Sequence, residues 1–173
     1  GVQKQPVKIT GKTRNVKFDN LYINGSLVLN SGEQPYKNYS EWLTHSEMKR
    51  VPHSYLLDFS KKPKWSYVMG IEMEGMLDTY EAYKEGNESI LEYLKEYPKT
   101  MIDEKGNITG YKYEDFNLDN VRTAKFILRM HNIAPTKGTE KALKTLFKQL
   151  VNQPRTKEGV YWHKAIYANQ VWL

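Results

Sequence analysis

The chain contains no cysteine among its 173 residues, which excludes disulfides, thiolate metal sites and cysteine nucleophiles together and does not fix the compartment. It has no apolar run long enough to span a bilayer, because its best apolar stretches are broken by charge every few residues. No signal-peptide hydrophobic region opens it either, and no membrane partner is expected. A glycine loop for phosphate, a nucleophile elbow and a dinucleotide fingerprint are all missing. The four histidines, His45, His53, His131 and His163, have no second histidine or carboxylate at metal spacing, so no metal site is expected.

What is present fits one domain of ordinary size: 20.3 kDa with 39% hydrophobic residues. The net charge of +6, from 26 Lys and Arg against 20 Asp and Glu, favours anionic partners through long-range steering. Acids interleave with the lysines, as from Glu81 to Glu96, which reads as a solvated helical surface. Nucleic acid is therefore not an expected partner, since it calls for basic residues clustered on one face.

The first 40 residues read as an extended or β arm. Leu21-Tyr22-Ile23 and Leu27-Val28-Leu29 flank Asn24-Gly25, the signal for a tight hairpin. From residue 41 onward the pattern is helical. Ser40 is a cap candidate for a short helix to Lys49, closed by Pro52. Apolar residues at Val68, Met69, Met73, Met76, Leu77 and Tyr80 recur at helical spacing, and Gly70 and Gly75 among them suggest close backbone approach. A second helix runs from Asn87 to about Ile102, with Pro98 expected to bend it. Asp103 to Asn107 is a turn, and Ile108 to Tyr113 a brief extended piece. A third helix starts near Asp119 and carries Val121, Ala124, Phe126, Ile127, Leu128 and Met130. A fourth, capped by Thr139, buries Ala142, Leu143, Leu146, Phe147, Leu150 and Val151. The pair 65–102 is echoed by the pair 119–151, which predicts an all-α array of stacked α-hairpins.

Chemistry concentrates in three places. Asp119 stands at a helix start between Asn117 and Asn120, where a carboxylate serves either the backbone donors and helix dipole or a sugar hydroxyl and proton transfer. Trp65 and Tyr67 precede their helix at the corresponding end, either as a staple onto the core or as a flat wall for a pyranose ring. The stretch from Asn152 to Leu173 crowds Tyr161, Trp162, His163, Tyr167, Gln170 and Trp172 behind the turn signals Gln153-Pro154 and Glu158-Gly159. A segment that only packed a core would not need that mixture.

Read together, Trp65-Ser-Tyr67-Val-Met-Gly70, the helix around Gly75 to Ala82, Asp103-Glu-Lys-Gly106-Asn107, Leu118-Asp119-Asn120 and above all Asn152 to Lys164 with Tyr167, Gln170 and Trp172-Leu173 carry a resemblance. The chain resembles the N-terminal part of the unsaturated rhamnogalacturonyl hydrolases, glycoside hydrolase family 105, relatives of the unsaturated glucuronyl hydrolases of family 88. That resemblance implies an (α/α)6 toroid, with residues 41–173 as the N-terminal portion of its catalytic domain. It implies as partner an anionic oligosaccharide with a 4,5-unsaturated uronate at its nonreducing end, as in pectin breakdown. The implied reaction hydrates an enol ether, unlike hydrolysis between two flanking carboxylates. No cofactor and no metal are implied. Asp119 looks like one of two active-site aspartates, Tyr67 and Trp172 like ring-contacting aromatics, and His163 like a pocket residue, with Trp65 as a further wall. The family's principal acid is an aspartate directly after the Trp-Leu pair, one position past Leu173. The expectation is a fragment, inactive alone, whose partner is the remainder of the same polypeptide. A noncatalytic carbohydrate-binding scaffold is the other reading.

Overall fold

The computed structural model describes strands 20–23 and 26–30, residue 36 and residues 38–164. The chain divides into two units, Gly1–Lys37 and Asn38–Leu173. In the first, β1 (Asn20–Ile23) pairs antiparallel with β2 (Ser26–Asn30) from Ile23↔Ser26 to Asn20↔Asn30, with an irregularity between Leu21 and Tyr22. Asn24-Gly25, the expected hairpin turn, lies outside the described residues.

The second unit is helical. Helix α1 is Tyr39–Arg50, α2 Tyr67–Ala82, α3 Glu88–Met101, α4 Leu118–Arg122, α5 Ala124–Ile133 and α6 Lys137–Asn152. The pairs α2/α3 and α5/α6 are the two α-hairpins foreseen from the repeat. Their common core joins Met69, Met73 and Leu77 of α2, Ile90, Leu94 and Tyr97 of α3, Phe126, Ile127 and Met130 of α5, and Ala142 and Leu146 of α6. Tyr97 stacks on Trp65 at 6.1 Å between centroids and meets Phe126 edge-on at 6.2 Å. None of the described helices is long and apolar enough to cross a membrane.

Several expectations are corrected by contacts distant in sequence. Helix α1 starts one residue before Ser40 and is capped by Asn38, whose side chain bonds Glu41 at 2.7 Å. Helix α3 continues through Pro98 and ends within one turn of it, at Met101. Between Ile108 and Tyr113 no strand forms among the described residues; Ile108 makes a single bridge to Ile102, and Tyr113–Asp115 is a 3-10 turn. The third helix is two, broken at the fully buried Thr123, whose hydroxyl donates to the Ser66 carbonyl at 2.7 Å. There Gly70 is indispensable, because a Cβ on it would lie 2.8 Å from the Thr123 Cα. Gly75, by contrast, meets nothing.

Helix α6 begins at Lys137, two residues before its expected cap. Thr136 is the N-cap, and Thr139 closes a capping box with it from the third position. Gly138 lies inside the first turn because Asp103 presses on it: a Cβ there would stand 2.4 Å from the Asp103 carbonyl oxygen. The buried face is also rotated. It runs through Thr139, Ala142, Leu146, Gln149 and Gln153, while Phe147 and Val151, expected inside, are 67% and 61% exposed. Leu128 of α5 is half-exposed on the same side.

Candidate active site

Asp119 occupies the first turn of α4, not its cap. Asn117 is the N-cap and accepts the Asp119 amide hydrogen at 3.1 Å. This leaves the Asp119 carboxylate free of capping duty. It faces the segment that follows α6: His163 Nε2 lies 3.1 Å from Asp119 Oδ2, and Lys164 Nζ lies 3.6 Å from the same oxygen. All three side chains are partly exposed, between 21% and 28%. One carboxylate, one imidazole and one ammonium thus converge at the protein surface, the combination suited to binding an anionic hydroxylated ligand and moving a proton.

Local chemistry explains why these segments meet. The chain leaves α6 at Gln153-Pro154 and makes a small loop that returns at Trp162, with Thr156 N bonded to Val160 O and Trp162 N to Pro154 O, both at 2.8 Å. Gly159 supplies the turn at φ +88°, which only glycine adopts without strain. Arg155 lies 3.8 Å over the Tyr161 ring, donates to the Gly159 carbonyl at 3.0 Å and reaches the Tyr161 hydroxyl. The loop is then tied down where it matters, since the Leu118 amide donates to the His163 carbonyl at 3.0 Å.

Helix α4 is held from its other side by α2. The buried Glu74 pairs with Arg122 and, at 3.4 Å, with Lys125. Trp65 donates from Nε1 to the Asn120 carbonyl at 2.9 Å. Trp65 is therefore no open wall for a sugar: it is 6% exposed, stacked on Tyr97 and bonded to the residue after Asp119. Tyr67 is 45% exposed and lines a separate cavity of about 390 Å³ with Arg50, Asp58, Phe59 and Glu72. Burial and the neighbouring Glu47 and Asp58 raise the Glu72 carboxyl above its ordinary range. Trp172 lies outside the described residues. No cluster of three metal-binding side chains occurs among the described residues.

Sequence reasoning gave no role to Lys164, although it ends the Asn152–Lys164 motif, and none to Gln149 or to the side chain of Gln153. Both glutamines sit on helical spacing, but an amide in an amphipathic pattern reads as surface.

A family model described as Glycosyl Hydrolase Family 88 matches residues 39–173. Among solved structures, a glycoside hydrolase from family 105 of C. acetobutylicum matches at 32% identity with a TM-score of 0.67, over 79% of this chain and 35% of its own length. The chain thus spans little more than a third of that relative. The two hairpins and α1 are accordingly part of an (α/α)6 toroid.

Proposed function

The chain belongs to glycosyl hydrolase family 88, and on that premise we propose that it forms part of an enzyme that removes 4,5-unsaturated uronates from the nonreducing end of pectin-type oligosaccharides. The observation that carries the reading is the meeting of Asp119 with His163 and Lys164 at 3.1 and 3.6 Å. Lys164 supplies positive charge for a uronate carboxylate, His163 a ring nitrogen for hydrogen bonding, and Asp119 accepts from a ring hydroxyl or handles a proton. Trp172 supplies a ring contact. Trp65 supports the strand of backbone that carries Asp119 and does not touch the sugar.

The reaction adds water across the C4=C5 enol ether. A proton goes to C4 and the water oxygen bonds to C5, giving a hemiketal that opens and releases the next sugar as its free alcohol. This chain covers 35% of the family 105 relative, so the activity is proposed for a longer polypeptide of that relative's length. The 173 residues alone bind weakly and turn nothing over.

Two measurements test this. In the longer polypeptide, Asp119→Asn is expected to slow the loss of unsaturated-uronate ultraviolet absorbance by roughly 10²–10⁴-fold; an unchanged rate would remove Asp119 from the mechanism. With the 173-residue chain, unsaturated digalacturonate is expected to shift the His163 imidazole NMR signals without losing its own absorbance.

A further inference from the structure

Behind the candidate site lies a chain of side-chain amides that the proposed chemistry does not use. Tyr111 Oη donates to Gln149 Oε1 at 2.7 Å. Gln149 Nε2 donates to the Asn117 carbonyl at 3.0 Å and to Gln153 Oε1 at 3.2 Å. Gln153 Nε2 donates in turn to the Phe116 carbonyl at 2.6 Å and the Trp162 carbonyl at 2.8 Å. Gln149 is fully buried and Gln153 nearly so. The direction of every bond is fixed, because backbone carbonyls only accept and each amide nitrogen has two hydrogens, both of which are used. Burial holds the Tyr111 phenol at about 12, so it remains the donor at the head of the chain.

The three carbonyls so gathered belong to the two segments that carry the site. Phe116 and Asn117 immediately precede α4 and Asp119, and Trp162 immediately precedes His163. Phe116 is a non-glycine residue at φ +43°, ψ +43°, a conformation that costs energy and directs its carbonyl to Gln153. An apolar pair at 149 and 153 would fill the same volume but take from the part-buried Phe116 and Trp162 carbonyls the donors they have here, and leave the Asn117 carbonyl only the Asn120 amide at 3.1 Å.

We propose that Gln149 and Gln153 are positioning residues: their linked amides clamp the Phe116-Asn117 and Trp162 carbonyls and thereby hold Asp119 and His163 within contact distance. The clamp's role in catalysis rests on the reading of Asp119 and His163 as the active pair, but the clamp itself does not. Its sense is one-way, from Tyr111 through Gln149 to Gln153, so the two glutamines are not replaceable by residues that only fill space.

The test uses the 173-residue chain with labelled histidine and needs no substrate, so failure of the uronate reading leaves it intact. Asp119→Asn is expected to displace the His163 Cε1–H NMR signal, because the two side chains touch. In the Gln153→Leu background, and again in Gln153→Asn, whose shorter side chain cannot reach both carbonyls, the same Asp119→Asn change is expected to displace it no longer, while the signals of Tyr97 and Phe126 report an intact core. A displacement that persists undiminished in either folded variant overturns the proposal. So does unfolding of both variants, which makes Gln153 a requirement of the whole fold and not a clamp on two segments. In the longer polypeptide the folded variants are expected to lose kcat with little change in KM.

Discussion

The two ends of α6 solve the same problem in opposite ways. At its N-terminus the orphan amides are met by neighbours in sequence, through the capping box of Thr136 and Thr139, and Gly138 lets the Asp103 turn settle against the first turn. At its C-terminus the last buried positions, Gln149 and Gln153, reach carbonyls more than 30 residues upstream and one nine residues ahead. The first end closes a fold; the second arranges other segments around itself. A helix terminus that satisfies distant backbone makes those segments depend on each other, which is what a site assembled from separate loops requires.

That contrast can be broken at either end. The largest effect is expected from Gly138→Ala, whose methyl group would meet the Asp103 carbonyl oxygen: a loss of about 2–4 kcal/mol in urea unfolding, with the Asp119–His163 contact retained in the molecules that stay folded. Restoration of stability by shortening nothing else would be impossible, since the obstructing atom is backbone. At the other end Gln149→Leu is expected to cost about 1–3 kcal/mol, because it takes the partner from the Tyr111 hydroxyl and from the buried Gln153 Oε1. Here, unlike at Gly138, the NMR signals of His163 should broaden or move. Equal behaviour of His163 in the two variants would erase the distinction between the ends. Thr136→Ala is expected to cost about 1 kcal/mol, read as a small drop in the thermal midpoint, with no change at His163.

The smallest difference is alkaline. The folded Tyr111 phenol is raised by burial to about 12 from its usual 10, so the unfolded chain loses this proton first. Stability that is complete below about pH 10 is expected to fall as the pH climbs to about 12. Tyr93 and Tyr97 are raised in the same direction by burial and add to the fall. Tyr111→Phe should flatten it slightly and only slightly, since Tyr111 is not fully enclosed. An identical pH profile in the variant would show that Tyr111 is not held as a donor.

Much of this arrangement was legible from residue types. Helical spacing at Met69, Met73 and Leu77 announced α2, and Asn117-Leu-Asp119 announced a helix start whose carboxylate was open to either the helix or a ligand. The crowding of Trp162 and His163 after Gln153-Pro154 announced a loop with chemistry in it, and His163 does meet Asp119. The reading failed wherever a hydrophobic residue is not the one buried. Phe147 and Val151 were assigned inward by their apolarity, yet α6 turns them out and buries two amides, because at that end the partners awaiting it are carbonyls and not methyl groups. The same preference for local rules placed a cap at Thr139, when the close approach of Asp103 had already reserved Gly138 for the first turn.

By itself, then, the sequence determined which segments are helices, where two hairpins repeat, and which side chains are able to carry charge and protons, since these follow from periodicity and side-chain chemistry within a few turns. Only the tertiary structure decided that the third helix breaks at Thr123, that Trp65 belongs to the core, and that Lys164, Gln149 and Gln153 stand with Asp119 and His163. Those outcomes depend on the hydrogen-bonding needs of backbone groups 30 to 60 positions away, and no local pattern encodes a partner at that distance.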